Sequence, residues 1–348
     1  MTPGRVLVTG GAGFLGINLL RHLRAGRYTL ASYDLAELDA PDLLPHVEAI
    51  RGDVRDAGAV NRAVSGADIV VHAAAALPLY APEDIHSTDV VGTRTVLAAA
   101  ARHGVRRVIH ISSTAVYGTP GRHPRREDDP LEGVGPYGEA KVEAEEVCLE
   151  FRGQGMVLPV LRPATFVGPE RLGVFDILFD WALEGRNFPV LGSGENRYQL
   201  LHVADVCQAV EQCMTSPPEA ANGTFNLGAK VFGTVRSDYQ AVLDEAGFGK
   251  RIVSVPARPA IAALRLLEAL RISPLYRWVY ESAGKDSSVS IERAQQRLGF
   301  RPAHSNADAL LSNFRWYRAN RERFVAKTGV SHRVPWKQGA LRLVRRLF

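Results

Sequence analysis

Short, continuously apolar runs alternate with longer stretches of helical period through the first half of the chain. The runs Arg5–Thr9, Tyr28–Tyr33, Val47–Ile50, Asp68–His72, Val105–Ile111 and Val157–Leu161 are rich in β-branched residues and predict strands. Between them, Phe14–Ala25, Glu83–His103 and Tyr137–Phe151 repeat their apolar positions at helical spacing. Strands with no polar face, separated by helices, predict an α/β architecture: a doubly wound parallel sheet covered on both faces. In such sheets ligands bind outside the carboxyl ends of the strands. After about residue 165 the alternation loosens. Helices are predicted over Val174–Leu183, Val203–Thr215, Val235–Ala246, Ile261–Leu270 and Ala307–Asn320, some completing the sheet and the rest forming a smaller C-terminal cap. The expected division is a sheet domain over 1–165, a mixed sheet-completing and cap region over 166–328, and a tail over 329–348.

Composition adds boundaries to this picture. Apolar residues make up 46% of the 348 positions and charged residues 23%, the balance of an ordinary globular protein. Cys148, Cys207 and Cys213 have no paired spacing, so neither a disulfide framework nor a zinc site is expected, and no metal is assigned. A strand-like run begins at Arg5, so no leader is expected, and no apolar stretch reaches membrane-spanning length. The net charge is +5, yet seven Lys/Arg and no acid fall between Arg323 and Phe348. The body is therefore near neutral, which is not the charge map of a nucleic-acid binder. A cytoplasmic location is the expectation from these features.

The first strand runs into Thr9-Gly10-Gly11-Ala12-Gly13-Phe14-Leu15-Gly16, a GxxGxxG at a strand-to-helix junction. Gly10 permits the tight turn, Gly13 lets the backbone approach a pyrophosphate, and Gly16 permits close helix packing. The helix start then offers N–H groups and a positive dipole end to phosphates. Asp34 closes the second strand, where a carboxylate accepts the ribose hydroxyls of NAD and repels the extra phosphate of NADP. These features make the sheet a Rossmann domain and NAD the expected cofactor. After the third strand, Asp53 with Val54 is a candidate for the adenine end.

Candidate chemistry lies further along. Ser113 follows the strand ending at Ile111, and Tyr137 and Lys141 open the next long helix at i and i+4, on one face. A free phenol with a pKa near ~10 is a poor base at neutral pH. A neighbouring ammonium and an oxidised nicotinamide both favour the phenolate, which suits a proton relay coupled to hydride transfer at a carbinol carbon. Ser113 would hold the substrate oxygen.

With these motifs in place, the chain resembles the extended short-chain dehydrogenases/reductases of the NAD-dependent epimerase/dehydratase family. The likeness covers most of 4–320. It includes the glycine loop, Asp34, Asp53, His72-Ala73-Ala74-Ala75, Gly92-Thr93, YxxxK, Leu161-Arg162-Pro163, Val167-Gly168-Pro169, His202-Val203-Ala204-Asp205 and Leu298–Pro302. The resemblance implies that Phe14, Leu15, Ala73–Ala75 and Pro163, together with Tyr137 and Lys141, line the cofactor. It implies that Thr114, Thr165, Phe166 and Tyr198 face a small-molecule substrate. A homodimer through Glu83–His103 and Tyr137–Phe151 is likewise implied.

Departures from the family pattern narrow the substrate. Sugar-nucleotide 4,6-dehydratases carry an Asp-Glu pair where this chain has Thr114 and Ala115, so that elimination lacks its acid and base. Epimerases carry a diphosphate-clamping arginine where this chain has Tyr198, and Arg197, one residue earlier, would face the other way on a strand. Asp89 replaces the asparagine expected before the Val-x-Gly-Thr motif. The apolar segment Pro256–Leu270, followed by Pro274–Tyr280, is similar to the cap of 3β-hydroxysteroid dehydrogenase-like and keto-lipid-reducing relatives. The favoured expectation is alcohol–ketone interconversion on an apolar or lipid-linked substrate. The alternatives are a UDP-sugar 4-epimerase and a non-catalytic NAD-sensing protein. The tail from Trp336 gathers Ala340, Leu343, Val344 and Leu347 opposite Arg342, Arg345 and Arg346. It reads as an amphipathic helix, either packed on protein or lying at the inner face of an anionic membrane.

Overall fold

The computed structural model describes residues 4–118, 121–269, 280 and 283–324. The first part of the chain runs β1 (Arg5–Thr9), α1 (Phe14–Arg24), β2 (Thr29–Asp34), β3 (Val47–Arg51), α2 (Ala57–Val64), β4 (Ile69–His72) and α3 (Pro82–His86). A π-helical turn, Ser87–Val91, leads into α4 (Gly92–Arg102), β5 (Arg107–Ile111), a 3₁₀ turn Thr114–Tyr117, α5 (Gly135–Gly153) and β6 (Val160–Pro163). Then follow β7 (Thr165–Val167), α6 (Val174–Leu183), β8 (Phe188–Leu191), β9 (Leu200–His202), α7 (Val203–Thr215), α8 (Pro218–Ala221) and β10 (Thr224–Leu227). The last described elements are α9 (Val235–Ala246), β11 (Ile252–Val255), α10 (Ala257–Ala269), α11 (Glu292–Leu298) and α12 (Asn306–Asn320).

Seven strands form one parallel sheet in the order β3-β2-β1-β4-β5-β6-β10, so the expected doubly wound Rossmann architecture is met. Val6, Leu7 and Val8 of β1 are fully buried, which is why the central strands carry no polar face. Leu7, Val70, Val96, Leu97, Val108 and Val147 pack into one core between sheet and helices. Burying such side chains contributes about 1.5–3 kcal/mol each. The strand order reverses between β1 and β4. That switch point places the ends of β1, β2, β4 and β5 side by side, the crevice where such folds bind ligands.

The chain divides into two compact units that interleave along the sequence. The first comprises Met1–Thr165, Val203–Gly228 and Val289–Pro302; the second comprises Phe166–His202, Ala229–Ser288 and Ala303–Phe348. In the second unit β7 pairs with β9 and β8 with β11. Its core gathers Phe175, Phe179, Val242, Leu310 and Phe314, with the Phe179 and Phe314 rings 5.6 Å apart. Capping boxes at Thr234/Ser237 and Ser305/Asp308 fix the starts of α9 and α12.

Three expectations are refined. Glu83–His103 is one run interrupted by the π turn; α2, α8, α11 and strands β7 to β11 were not read from the sequence; and Arg197–Tyr198 is no strand, only a single bridge from Tyr198 to Ser287. Among the described residues no helix is long and apolar enough to cross a membrane. The tail 329–348 and the segment 270–279 lie outside the described residues, apart from Tyr280, which is buried.

Candidate active site

The glycine loop is shaped by contacts that a side chain would block. Gly10 has φ +71, and a Cβ there would meet the Ala74 nitrogen at 2.7 Å. A Cβ on Gly16 would collide with the Gly10 carbonyl oxygen, so this glycine seats α1 against the turn. No side chain caps α1, and its first turn holds no acid, so the helix itself presents an anion with its positive end. Phe14 and Leu15 are buried in the first turn of α1.

Asp34 stands at the end of β2 with each carboxylate oxygen oriented by a backbone donor. Ala12 N–H donates to Oδ2 at 3.0 Å and Ala36 N–H donates to Oδ1 at 2.9 Å. The remaining lone pairs suit a vicinal diol. Glycine turn, bare helix start and fixed acid together fit a dinucleotide. Asp53 is arranged differently: Arg55 donates from Nε and Nη2 to both its oxygens, at 2.6–3.0 Å, and holds its carboxyl below the usual range. Val54 is buried, within 2.8 Å of where a Gly92 Cβ would stand. Ala73 and Ala74 are half-buried, Ala75 is exposed, and Pro163 is buried at the end of β6.

The catalytic candidates converge at the ends of β5 and α5. Ser113 is extended, φ −158, and its Oγ accepts from Ala115 N–H at 3.1 Å, opening the turn that carries half-buried Thr114. The start of α5 packs against this turn, since a Gly138 Cβ would lie 3.2 Å from the Ala115 oxygen. One turn apart on α5, half-buried Tyr137 and fully buried Lys141 share a face, with the Lys141 Nζ 5.6 Å from the Tyr137 ring centre. Tyr137 packs on Ala76, Ile85 and Ala140, which restricts its ring.

Lys141 is not alone. Its Nζ lies 3.3 Å from Asp89 Oδ2, and both side chains are out of solvent. Burial alone would lower the lysine pKa; Asp89, Tyr137 and Glu145 together carry it above its ordinary value. Asp89 sits in the π turn, a distortion that recurs at functional sites. Its Oδ1 accepts from Ala76 N–H at 2.7 Å.

A buried chain of hydrogen bonds backs this turn, and its directions follow from counting donors. Thr93 Oγ1 donates to the Asp89 carbonyl at 2.6 Å, so it must accept from His72 Nε2 at 3.0 Å. His72 Nδ1 then accepts from Thr9 Oγ1 at 2.7 Å, and Thr9 accepts from Ala74 N–H at 3.3 Å. Burial keeps the imidazole neutral, which puts its proton on Nε2. Burial, then the Lys141 charge, pulls His72 down to about 3. The neighbouring ring of His110, 5.4 Å away, is likewise pushed well below its usual value, first by burial.

Both histidines titrate near ~6.5 when the chain unfolds. Below that pH the unfolded state binds more protons, so the stability that His72 contributes above ~6.5 is lost as the pH falls toward about 3. A loss of about 1 kcal/mol from His72 is expected between pH 6 and pH 5, with a loss of the same sign from His110. Denaturant titrations at the two pH values measure it. Among the described residues His110 has no hydrogen-bond partner, so His110→Leu should remove its share of the pH slope. An unchanged slope would reassign the effect.

In the second unit, Arg197 donates to the Phe232 carbonyl at 3.1 Å and stacks on its ring at 4.7 Å. Tyr198 is half-buried against the unit's core. Thr165 and Phe166 are half-buried at the start of β7, with Arg171 5.9 Å over the Phe166 ring. On α10, none of the described side chains is buried, and Ile261 and Leu264 are half-buried.

Sequence reading missed the Asp89–Lys141 pair and the Thr9–His72–Thr93 chain. It also missed a buried network in which Arg162 donates to Glu145 at 2.6 Å and to the Tyr117 hydroxyl at 2.7 Å, while Ser112 donates to Glu145 at 2.5 Å. Glu145 follows Lys141 by four residues on the same helix, a spacing that marks it.

Residues 6–228 match the model of the NAD dependent epimerase/dehydratase family. An uncharacterized protein, y4nG, of Sinorhizobium fredii is 35% identical over 97% of this chain and 85% of its own length. A dTDP-glucose 4,6-dehydratase of Streptomyces niveus is 29% identical over 91% of this chain and 94% of its own. A 4-hydroxy-2-methyl-3-oxo-4-farnesyl-3,4-dihydroquinoline-1-oxide ketoreductase of Stigmatella aurantiaca is 28% identical over 85% and 91%. Among solved structures, the UDP-glucose 4-epimerase of Thermotoga maritima with UDP-glucose shares the fold with TM-score 0.76. That match has 24% identity and covers 91% of this chain and 99% of the epimerase.

Proposed function

Because this chain belongs to the NAD dependent epimerase/dehydratase family, we propose that it interconverts a secondary alcohol and a ketone through Ser113, Tyr137 and Lys141. The observation that carries this reading is the shared face of α5, which sets the buried Lys141 ammonium 5.6 Å from the Tyr137 ring. NAD supplies the hydride acceptor at the carbinol carbon. Ser113 would hold the substrate oxygen in line with the phenol. The Tyr137 phenolate would take the hydroxyl proton as the carbonyl forms, and in reduction the phenol would return it. Lys141 favours the phenolate through its charge.

For the substrate, we favour an apolar or lipid-linked ring ketone. Three features support it. Arg197 is already committed to Phe232, Tyr198 stands where a diphosphate clamp would be, and α10 leaves Ile261 and Leu264 half-buried. The farnesylated substrate in the name of one relative points the same way. Thr114 and Ala115 offer no acid–base pair for a 4,6-dehydration. A nucleotide-sugar 4-epimerase is the second reading, favoured by the likeness to the epimerase fold. The test is thermal shift and NADH consumption with both ligand classes. The lipid reading expects NADH-dependent ketone reduction and no shift with UDP. A UDP-dependent rise in Tm at micromolar concentration would select the epimerase.

Cofactor choice follows from Asp34. Its oriented carboxylate is expected to make NAD bind tighter than NADP, and Asp34→Ala to narrow the gap by removing the repulsion of the 2′-phosphate. Calorimetry with both dinucleotides decides this, and equal affinities for the unaltered protein would refute it.

A further inference from the structure

We propose that Asp89 is a positioning residue of the relay, its carboxylate pinning the Lys141 ammonium beside Tyr137 and serving as the buried counter-charge of that lysine. The inference rests on the reading of Tyr137 and Lys141 given above. It starts from a juxtaposition that α5 alone cannot produce: Lys141 Nζ stands 3.3 Å from Asp89 Oδ2, with side-chain exposures of 2% and 0%. A wholly buried ammonium without an anion is costly and tends to lose its proton.

The groups facing Lys141 leave Asp89 as its available counter-charge. On its own helix Glu145 is already held by Arg162 and Ser112, and Tyr137 is the relay phenol. Cys148, one turn beyond Glu145, is kept a neutral thiol by burial. From β4 and β5, His72 and His110 are neutral for the reasons given above. From the π turn, Asp89 supplies the charge.

The carboxylate is itself held in place. Ala76 N–H fixes Oδ1, and the Thr93–His72–Thr9 chain anchors its carbonyl. This rigid seat gives Asp89 two effects on the relay. It keeps Lys141 protonated across the working range and limits where Nζ can go. Being an anion, it also tempers the pull of Lys141 on the phenol.

The test is a pH titration of the full chain labelled at lysine ¹³Cε, with the Lys141 signal assigned through Lys141→Arg. In the unaltered protein Lys141 is expected to stay protonated past pH ~10. In Asp89→Asn, which keeps an acceptor for Ala76, its midpoint should fall by about one unit or more. The high-pH limb of kcat/KM should retreat by the same amount. A Lys141 midpoint unchanged by the substitution would overturn the proposal. If the variant fails to fold, the unaltered protein still decides, because a Lys141 midpoint below about 9 would overturn it and a midpoint above ~10 would support it. A moved Lys141 midpoint in a protein that turns over no alcohol or ketone would leave the ion pair standing and sink the reading of the relay.

Discussion

Tyr137→Phe is expected to lower turnover by roughly 10²–10⁴-fold while leaving NAD affinity close to that of the unaltered protein. The substitution deletes one hydroxyl and keeps the ring that packs on Ala76, Ile85 and Ala140, so the fold and the helix face survive. What disappears is the proposed proton acceptor, and the titratable groups described beside it are held by other partners. Lys141 is tied to Asp89, and His72 is locked neutral between Thr9 and Thr93. Lys141→Ala should differ by damaging both turnover and NAD binding, since it also strands Asp89 without its cation. Single-turnover kinetics with calorimetry separates the two effects. More than about a tenth of normal activity in Tyr137→Phe would assign the proton transfer to another group.

Arg162→Met is expected to destabilise the protein by about 3–5 kcal/mol. Arg162 and Glu145 are each 5% exposed, and their closest N···O distance is 2.6 Å. Removing the guanidinium leaves a buried carboxylate with Ser112 as its remaining donor among the described residues, and takes a donor from the Tyr117 hydroxyl, which keeps Asn226 at 2.8 Å. In the unaltered protein the pair raises the guanidinium pKa, its attraction outweighing the burial that would lower it. The double variant Glu145→Leu/Arg162→Met should recover a large part of the stability, because two uncharged side chains need no counter-charge. Urea melts of the single and double variants measure this. A single-variant loss below about 1 kcal/mol would mean that water reaches the site.

How much of this was legible differs by feature. The sheet was, because its inner strands are buried on both faces and so read as unbroken apolar runs. Helices α6, α7 and α9 match the predicted spans because each places apolar residues at regular helical spacing. Helix α2 escaped because Ala57–Val64 is short, with three alanines, a glycine and no apolar side chain larger than valine, and its clearest mark is the Asp56 cap on Gly58 and Ala59. Strand β10 escaped because Asn226, fully buried, interrupts a short run; its side-chain oxygen accepts from the Tyr117 hydroxyl, while its backbone N–H donates to Glu127. At the site, Gly10, Asp34, Ser113, Tyr137 and Lys141 announce themselves by spacing. The partner of Lys141 does not, since Asp89 reaches it from another helix through a π turn that has no sequence signature. The commitment of Asp53 to Arg55 was hidden for a different reason: sequence gives proximity but not which donor wins.

The interleaving of the two units sets an order on synthesis. When residue 165 has left the ribosome, β6 has been made but its outer neighbour β10 has not, and Val160 and Leu161 border an open, apolar strand edge. Fifty-eight residues must follow before Thr224 can close it. Such an edge is a template for pairing with other chains. The nascent chain therefore passes through a window in which its most regular layer is also its most adhesive, and a fragment cut at Thr165 would carry that hazard permanently.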